Sequence, residues 1–381
     1  MALILFFMTA TGFLSGCGQL GDRFGSISGV PPSAVATWGK VDLDPVRELT
    51  QPYILYGDEG RYLTEPCYLH VHGLEYLYYE MVNLTPDEGA ELAGAVYLAT
   101  AETWVSWQVQ NGQQPVLAAD QAWERVSVGA PDVLLLDGRF VMWYAGGGGA
   151  GIGMASSADG IVWEKYEGNP VLTPDQAWEG GEAGVVAAPS VIFHEGRFKM
   201  YYSGGVAEGP ELARRVGNAI GYAESSDGMN WVKRDAAGHM GSGVQPVFKS
   251  TQMWEGKYPE GKSSGSVSSP YVMVEHPVDR DVFRMYYTGN LQGDPVFFDA
   301  SIGYAGSFDG LNWEPVSEGV NPVLGEKFPV TFPGISNYIL YGEFSPSVIK
   351  RGDQYRMIYG QTDSMYNIQG LAIAVCPVNM F

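Results

Sequence analysis

One unit recurs five times along the chain, and a period of that kind leaves few folds open. Each copy has a proline followed by an apolar run: Pro66-Cys-Tyr-Leu-His, Pro131-Asp-Val-Leu-Leu, Pro189-Ser-Val-Ile-Phe, Pro270-Tyr-Val-Met-Val and Pro346-Ser-Val-Ile-Lys. A short turn such as Asp137-Gly138 or Glu195-Gly196 leads to an aromatic run: Tyr76-Leu-Tyr-Tyr, Phe140-Val-Met-Trp-Tyr, Phe198-Lys-Met-Tyr-Tyr, Phe283-Arg-Met-Tyr-Tyr and Tyr355-Arg-Met-Ile-Tyr. A third run follows: Ala95-Val-Tyr-Leu-Ala, Ile152-Gly-Met-Ala, Ile220-Gly-Tyr-Ala, Ile302-Gly-Tyr-Ala and Leu371-Ala-Ile-Ala. Short β-branched and aromatic runs between turn residues read as strands. In three copies an Asp-Gly turn comes next, in Ser157-Ala-Asp-Gly-Ile-Val-Trp163, Ser225-Ser-Asp-Gly-Met-Asn-Trp231 and Ser307-Phe-Asp-Gly-Leu-Asn-Trp313. Asp-Gly suits a two-residue hairpin with positive φ at both positions, so a fourth strand carrying the Trp is expected.

Four antiparallel strands per unit, the first expected to begin after its proline, predict an all-β fold: a five-bladed β-propeller over residues 37–381. The ends support a ring. The fifth copy stops after its third strand, at Val375-Cys376, while Trp38-Gly-Lys and Asp44-Pro-Val near the start repeat the Trp-to-Pro spacing of seven seen from Trp163 to Pro170. The N-terminal strand is therefore expected to complete the last blade, which leaves no open sheet edge. Composition agrees: 51 glycines and 13% aromatic residues suit many short strands and tight turns. A net charge of −21 argues against nucleic acid or an anionic membrane surface as a partner, because both would repel the chain.

Residues 2–14 form an apolar run too short to span a bilayer and suited to a signal-peptide core. The run ends at Leu14-Ser15-Gly16-Cys17, which resembles the lipobox of bacterial lipoproteins, although the first basic residue, Arg23, comes only after it. The resemblance implies a signal peptide over 1–16, lipidation of Cys17, a Gly-rich tether over 17–36 and an exported protein, lipid-anchored in the cell envelope on the periplasmic or outer-membrane side. The lipid would be its sole tie to a membrane. Cys67 and Cys376 sit in apolar runs and read as core residues.

Antiparallel order places the loops between second and third strands, and the links between blades, on one face. They are long, for example 203–218, 288–300 and 324–344, and long loops on a rigid scaffold are where sites are built. The first strand of each blade should line the central channel. With its PSVI, GRFKMYYSGG, AIGYAESSDGMNW and NPVL segments, the unit resembles the five-bladed glycoside hydrolases (the arabinanase, xylosidase, invertase and levansucrase group, families 43, 32, 68 and 130) over residues 38–381. The resemblance implies a carbohydrate ligand and carboxylates at the channel mouth. Glu65, before the first-blade proline, matches the family's base or nucleophile position, usually Asp. Ala188 stands where the third blade commonly has Asp, and Ser268 where the fourth has the acid Glu.

Glycoside hydrolysis needs two carboxyl groups, so the other candidates are Asp132 and Glu343, with Asp299 and Asp363 in second-to-third-strand loops. Arg214 and Arg215 could bind an acidic sugar, and Tyr338 and Tyr366 could stack on sugar rings, as could Tyr258, Phe297 and Phe298. The alternative is a glycan- or protein-binding propeller without catalysis. The elements around Trp123, Trp178 and Trp254 occur in three blades, so their acids should be structural. His70 and His72 alternate on one strand without the further ligands a metal site needs, and Gly146 to Gly149 lacks the Lys-Ser/Thr of a phosphate loop. No metal or cofactor is expected, and a monomer is.

Overall fold

The computed structural model describes residues 38–40, 53–57, 60–83, 93–104, 106–181, 184–206, 218–255, 265–277, 280–290, 300–317, 320–325, 341–363 and 368–378. They form five antiparallel sheets in a ring, the predicted all-β five-bladed propeller. The inner strands are Arg61–Val71, Val128–Leu136, Gly184–His194, Ser266–Glu275 and Tyr341–Arg351. Each pairs with the aromatic strand that follows it: Leu74–Asn83, Arg139–Gly146, Arg197–Val206, Val282–Asn290 and Gln354–Asp363. Third strands and outer strands of two or three residues complete the sheets.

The inner strands do not begin after their prolines, as expected, but three to five residues before them. Every pairing slips at the proline, for example between Thr64 and Cys67 and between Ala187 and Ser190. Proline has no N–H to give a ladder, so inside a strand it needs a bulge. The residue before it supplies one by turning left-handed: φ is 46° at Glu65, 46° at Ala130, 45° at Ala188, 45° at Ser269 and 51° at Ser345. Five non-glycine residues in this strained region, at one place in five blades, make the bulge a property of the ring.

The ring closes as expected. Gly39 pairs with Val375 and Lys40 with Ala374, and Trp38 is buried with Met357, Ala374 and Cys376. A second segment, Tyr53–Tyr56, also pairs with the last strand, an addition that the repeat did not indicate. Trp38 fills the place of a fourth-strand Trp. Tyr78 meets Trp163 edge-on at 5.7 Å, Trp143 meets Trp231 at 6.2 Å, and Tyr201 meets Trp313 at 5.6 Å. Tyr286 meets Trp38 at 5.8 Å in the same T-shape. Each pair joins one blade to the next, and such geometry contributes about 1 kcal/mol beyond the area buried.

The Asp-Gly turns differ from the two-residue hairpin expected. Only Gly160, Gly228 and Gly310 take positive φ. Asp159 instead accepts hydrogen bonds from the N–H groups of Ile161 and Val162, and Asp227 and Asp309 repeat this. A side-chain acceptor that caps a turn removes the need for a second left-handed residue. The freed glycine carbonyls accept hydrogen bonds from the preceding blade: Tyr78 to Gly160, Trp143 to Gly228 and Tyr201 to Gly310, each at 2.9 Å.

The repeated acids are structural, as expected. Glu124, Glu179 and Glu255 are fully buried in 3-10 turns, where each carboxylate accepts two backbone N–H groups and a tyrosine hydroxyl. Lys165 and Lys233 neutralise the first two at 2.7 and 2.6 Å.

Candidate functional site

The five prolines border one recess on the ring axis, together with Glu65, Ala130, Ala188, Ser269, Asp132 and Tyr271. The recess is small beside the pockets of roughly 300–1,000 Å³ that enclose drug-sized ligands. Residues before the prolines belong to this axial ring, and Glu65 is the one ionisable side chain among the five. Its Oε1 accepts a hydrogen bond from Ser269 Oγ at 2.9 Å, and Ser345 Oγ lies 3.4 Å from Ser269 Oγ. Burial pushes the Glu65 carboxyl above its ordinary value, against the opposing pull of the Ser345 and Ser269 hydroxyls. Neither serine was singled out from sequence. Aligning the five residues before the prolines would have found them.

Residues after the prolines do a different job. Cys67 Sγ accepts a hydrogen bond from the Val133 N–H, Asp132 Oδ2 from the Val191 N–H, Ser190 Oγ from the Val272 N–H and Ser347 Oγ from the Tyr68 N–H, at 3.2, 2.7, 2.9 and 2.9 Å. In each case the donor lies on the neighbouring blade, so these bonds form a belt around the channel. Tyr271 holds the equivalent position in blade four. A second tier joins the aromatic strands to the residues before the prolines. Glu80 Oε2 accepts from the Ala130 N–H at 3.1 Å, Ser203 Oγ from the Ser269 N–H and Thr288 Oγ1 from the Ser345 N–H, both at 2.8 Å. Glu80 thereby brings to this wall a carboxylate that the sequence reading did not name. Gly129 leaves room for it, since a Cβ there would lie 2.1 Å from the carboxyl group.

Asp132 is thus at once a belt residue and part of the recess lining. Burial drives its carboxyl up to about 7, although the Val191 N–H and the Cys67 thiol favour the charged form. Cys67 Sγ lies 3.9 Å from Oδ1, and burial together with the Asp132 charge pushes the thiol well up. Tyr271 is held neutral by burial and by the same two neighbours, which leaves it a hydroxyl donor. The recess therefore holds two carboxyl groups biased toward the protonated form beside a neutral phenol, a set suited to proton donation.

Glu343 is placed elsewhere. It is fully buried and is not among the residues lining the recess. Three residues before its proline, it occupies the register held in the other blades by Leu63, Val128, Val186 and Val267, all core residues. Strand parity explains the difference, because the bulge reverses direction only from the residue before the proline onward. Cys17, Arg214, Arg215, Tyr338 and Tyr366 lie outside the described residues, as do Tyr258 and Asp299. His70 Nδ1 sits 3.2 Å from Glu75 Oε2, whereas His72 is exposed in the following turn, so the two do not converge.

No family model matches the sequence, and no curated protein matches it. Solved structures do. A protein described as a glycoside hydrolase superposes with a TM-score of 0.59 at 17% identity, covering 91% of this chain and 92% of its own. A thermostable family-43 glycoside hydrolase gives 0.55 at 18% identity, over 82% and 89%. A β-1,2-mannobiose phosphorylase from Listeria innocua, in complex with β-1,2-mannobiose, gives 0.54 at 12% identity, over 84% and 92%. The chain shares their fold. The matches run over nearly the whole propeller, and at these identities they speak to architecture alone.

Proposed function

We propose that the axial recess takes a carbohydrate and that the protein is a glycoside hydrolase in which Glu65 is the principal acid–base carboxyl, with Asp132 as its partner. The observation that carries this reading is the position of Glu65: the sole ionisable side chain of the residues before the prolines, held by Ser269 and Ser345 in the same recess as a second carboxyl. Hydrolysis of a glycosidic bond needs one group to protonate the leaving oxygen and one to attack or to activate water. An Asp132 carboxyl near 7 is poised for proton transfer at neutral pH. The similar fold of enzymes acting on sugars, one of them complexed with β-1,2-mannobiose, supports the substrate class.

A second reading, a glycan-binding propeller without catalysis, is favoured by one observation: Ala188 and Ser268 stand at the two other places where the resemblance implies acids. One screen separates the two. The purified protein is offered fragments of arabinan, xylan, fructan and mannan, with binding and cleavage scored separately. Cleavage that falls by about 10²–10⁴ in Glu65→Gln, with binding kept, supports the enzyme. Saturable binding without cleavage supports the binder, and unchanged turnover in Glu65→Gln removes that residue from the chemistry.

We further infer a monomer anchored in the cell envelope through Cys17. Among the described residues no helix is long and apolar enough to cross a membrane. Metabolic labelling with a radioactive fatty acid should mark the wild type and leave Cys17→Ala unlabelled.

A further inference from the structure

Where blades three and four meet, at the strand ends away from the axial recess, three potential metal ligands converge. His194 ends the inner strand of blade three, while His276 and Asp281 flank the turn between the inner and second strands of blade four. His194 Nε2 lies 2.7 Å from Asp281 Oδ2 and His276 Nδ1 lies 2.8 Å from Asp281 Oδ1. The candidate donor atoms of the three residues all fall within 4.8 Å of one another. The two imidazole planes are 8° from parallel, with centroids 6.0 Å apart.

The geometry points to a binding site for a divalent first-row transition metal, Zn²⁺ above all, held by His194, His276 and Asp281 as a clasp between blades three and four. A tetrahedral Zn²⁺ has ligands at about 2.0–2.2 Å, which sets them roughly 3.3 Å from one another. The carboxylate now bridges two imidazoles at 2.7 and 2.8 Å, so a shift of well under 1 Å per side chain would admit the ion. Two imidazoles with one carboxylate favour Zn²⁺, Co²⁺ or Ni²⁺ over the oxygen-seeking Mg²⁺ and Ca²⁺. Exposure of His276 and Asp281 leaves an entry path and a fourth position for water.

His194 supplies the second, independent observation. The residue is only 8% exposed, and its other ring nitrogen, Nδ1, is buried without a hydrogen-bond partner. That nitrogen lies 3.7 Å from Glu195 Oε2, just beyond hydrogen-bond reach. With Nε2 on the metal, the proton moves to Nδ1 and Glu195 becomes its acceptor after a small approach. Phe283 packs edge-on against the His194 ring at 5.1 Å and fixes its plane.

The test uses the full chain without an affinity tag, stripped with chelator and titrated with ZnCl₂ by calorimetry and by thermal melting, with MgCl₂ and CaCl₂ as controls. One equivalent of Zn²⁺ should bind and raise Tm by several degrees, with little response to Mg²⁺ or Ca²⁺. CoCl₂ should give visible d–d absorption of a tetrahedral site. His276→Ala and Asp281→Asn change exposed side chains and should fold normally, and each should weaken Zn²⁺ binding by at least about tenfold. Absence of saturable Zn²⁺ binding overturns the proposal, as does binding left unchanged in both variants. An equal response to Mg²⁺ overturns the assigned metal class.

Discussion

Asp132→Asn isolates the cost of a buried carboxyl in the belt. Asparagine keeps the size and a carbonyl oxygen to accept the Val191 N–H, removes the charge, and puts an NH₂ donor in place of the Oδ1 that faces the Cys67 thiol. The Asp132 carboxyl stands at about 7 in the fold against an ordinary 3.8. A raised carboxyl binds its proton more tightly in the folded state, so stability falls as pH climbs from about 4 to 7 and is level above that. At 1.36 kcal/mol per pH unit, the wild type has given up about 2 kcal/mol at pH 5 and about 4 kcal/mol at pH 8.5. Asparagine does not titrate, so the variant should gain about 2–3 kcal/mol on the wild type between these conditions. For a domain of this size that corresponds to roughly 3–4 °C in Tm. Paired melts at pH 5 and pH 8.5 read the difference directly. An offset that is the same at both pH values refutes the buried-carboxyl argument, and a variant that loses ground at pH 8.5 shows that the charge has a stabilising partner.

Other expectations concern the ring and its axial carboxyl. Ser269→Ala removes a hydroxyl that favours the charged form of Glu65, so that carboxyl should titrate at higher pH, seen as an upward move of whichever limb of the pH–rate profile Glu65 sets, the basic limb where it donates its proton. Trp38→Ala deletes the aromatic plug that seats the closing strand and should cost about 3–5 kcal/mol in a denaturant melt, whereas a change below about 1 kcal/mol would mean that the ring closes without it.

Blade number and closure were legible because both rest on spacing. Five prolines mark five inner strands, and the Trp-to-Pro interval places Trp38 in the last blade before any coordinate is known. Repetition also sorted the acids correctly, since Glu124, Glu179 and Glu255 recur and turn out to be buried anchors. Direction was not legible. Glu65, Asp132 and Glu343 lie one before, one after and three before their prolines, and the strict alternation of a flat strand would place all three on one face. The left-handed residue breaks that alternation, so Glu65 enters the axial ring, Asp132 turns onto the neighbouring blade while still bordering the recess, and Glu343 stays in the register of the core. The turn at Asp159 was misread for a related reason: propensity indicates where a turn falls, and the side-chain cap decides its type.

Whether Asp132 serves the belt alone or also the chemistry follows from what the belt requires. Its position needs one acceptor for a neighbouring N–H, and serine meets that need at Ser190 and Ser347. A carboxyl there is more than the fold asks for, and burial makes it costly. Asp132→Ser therefore keeps the belt in a form that two other blades already use. The variant should melt no lower than the wild type at pH 8.5. If Asp132 shares proton transfer with Glu65, kcat should drop by about 10²–10⁴ with KM little changed. Full turnover in a stable Asp132→Ser variant would leave Glu65 as the single reacting carboxyl of the recess and would end the two-carboxyl mechanism.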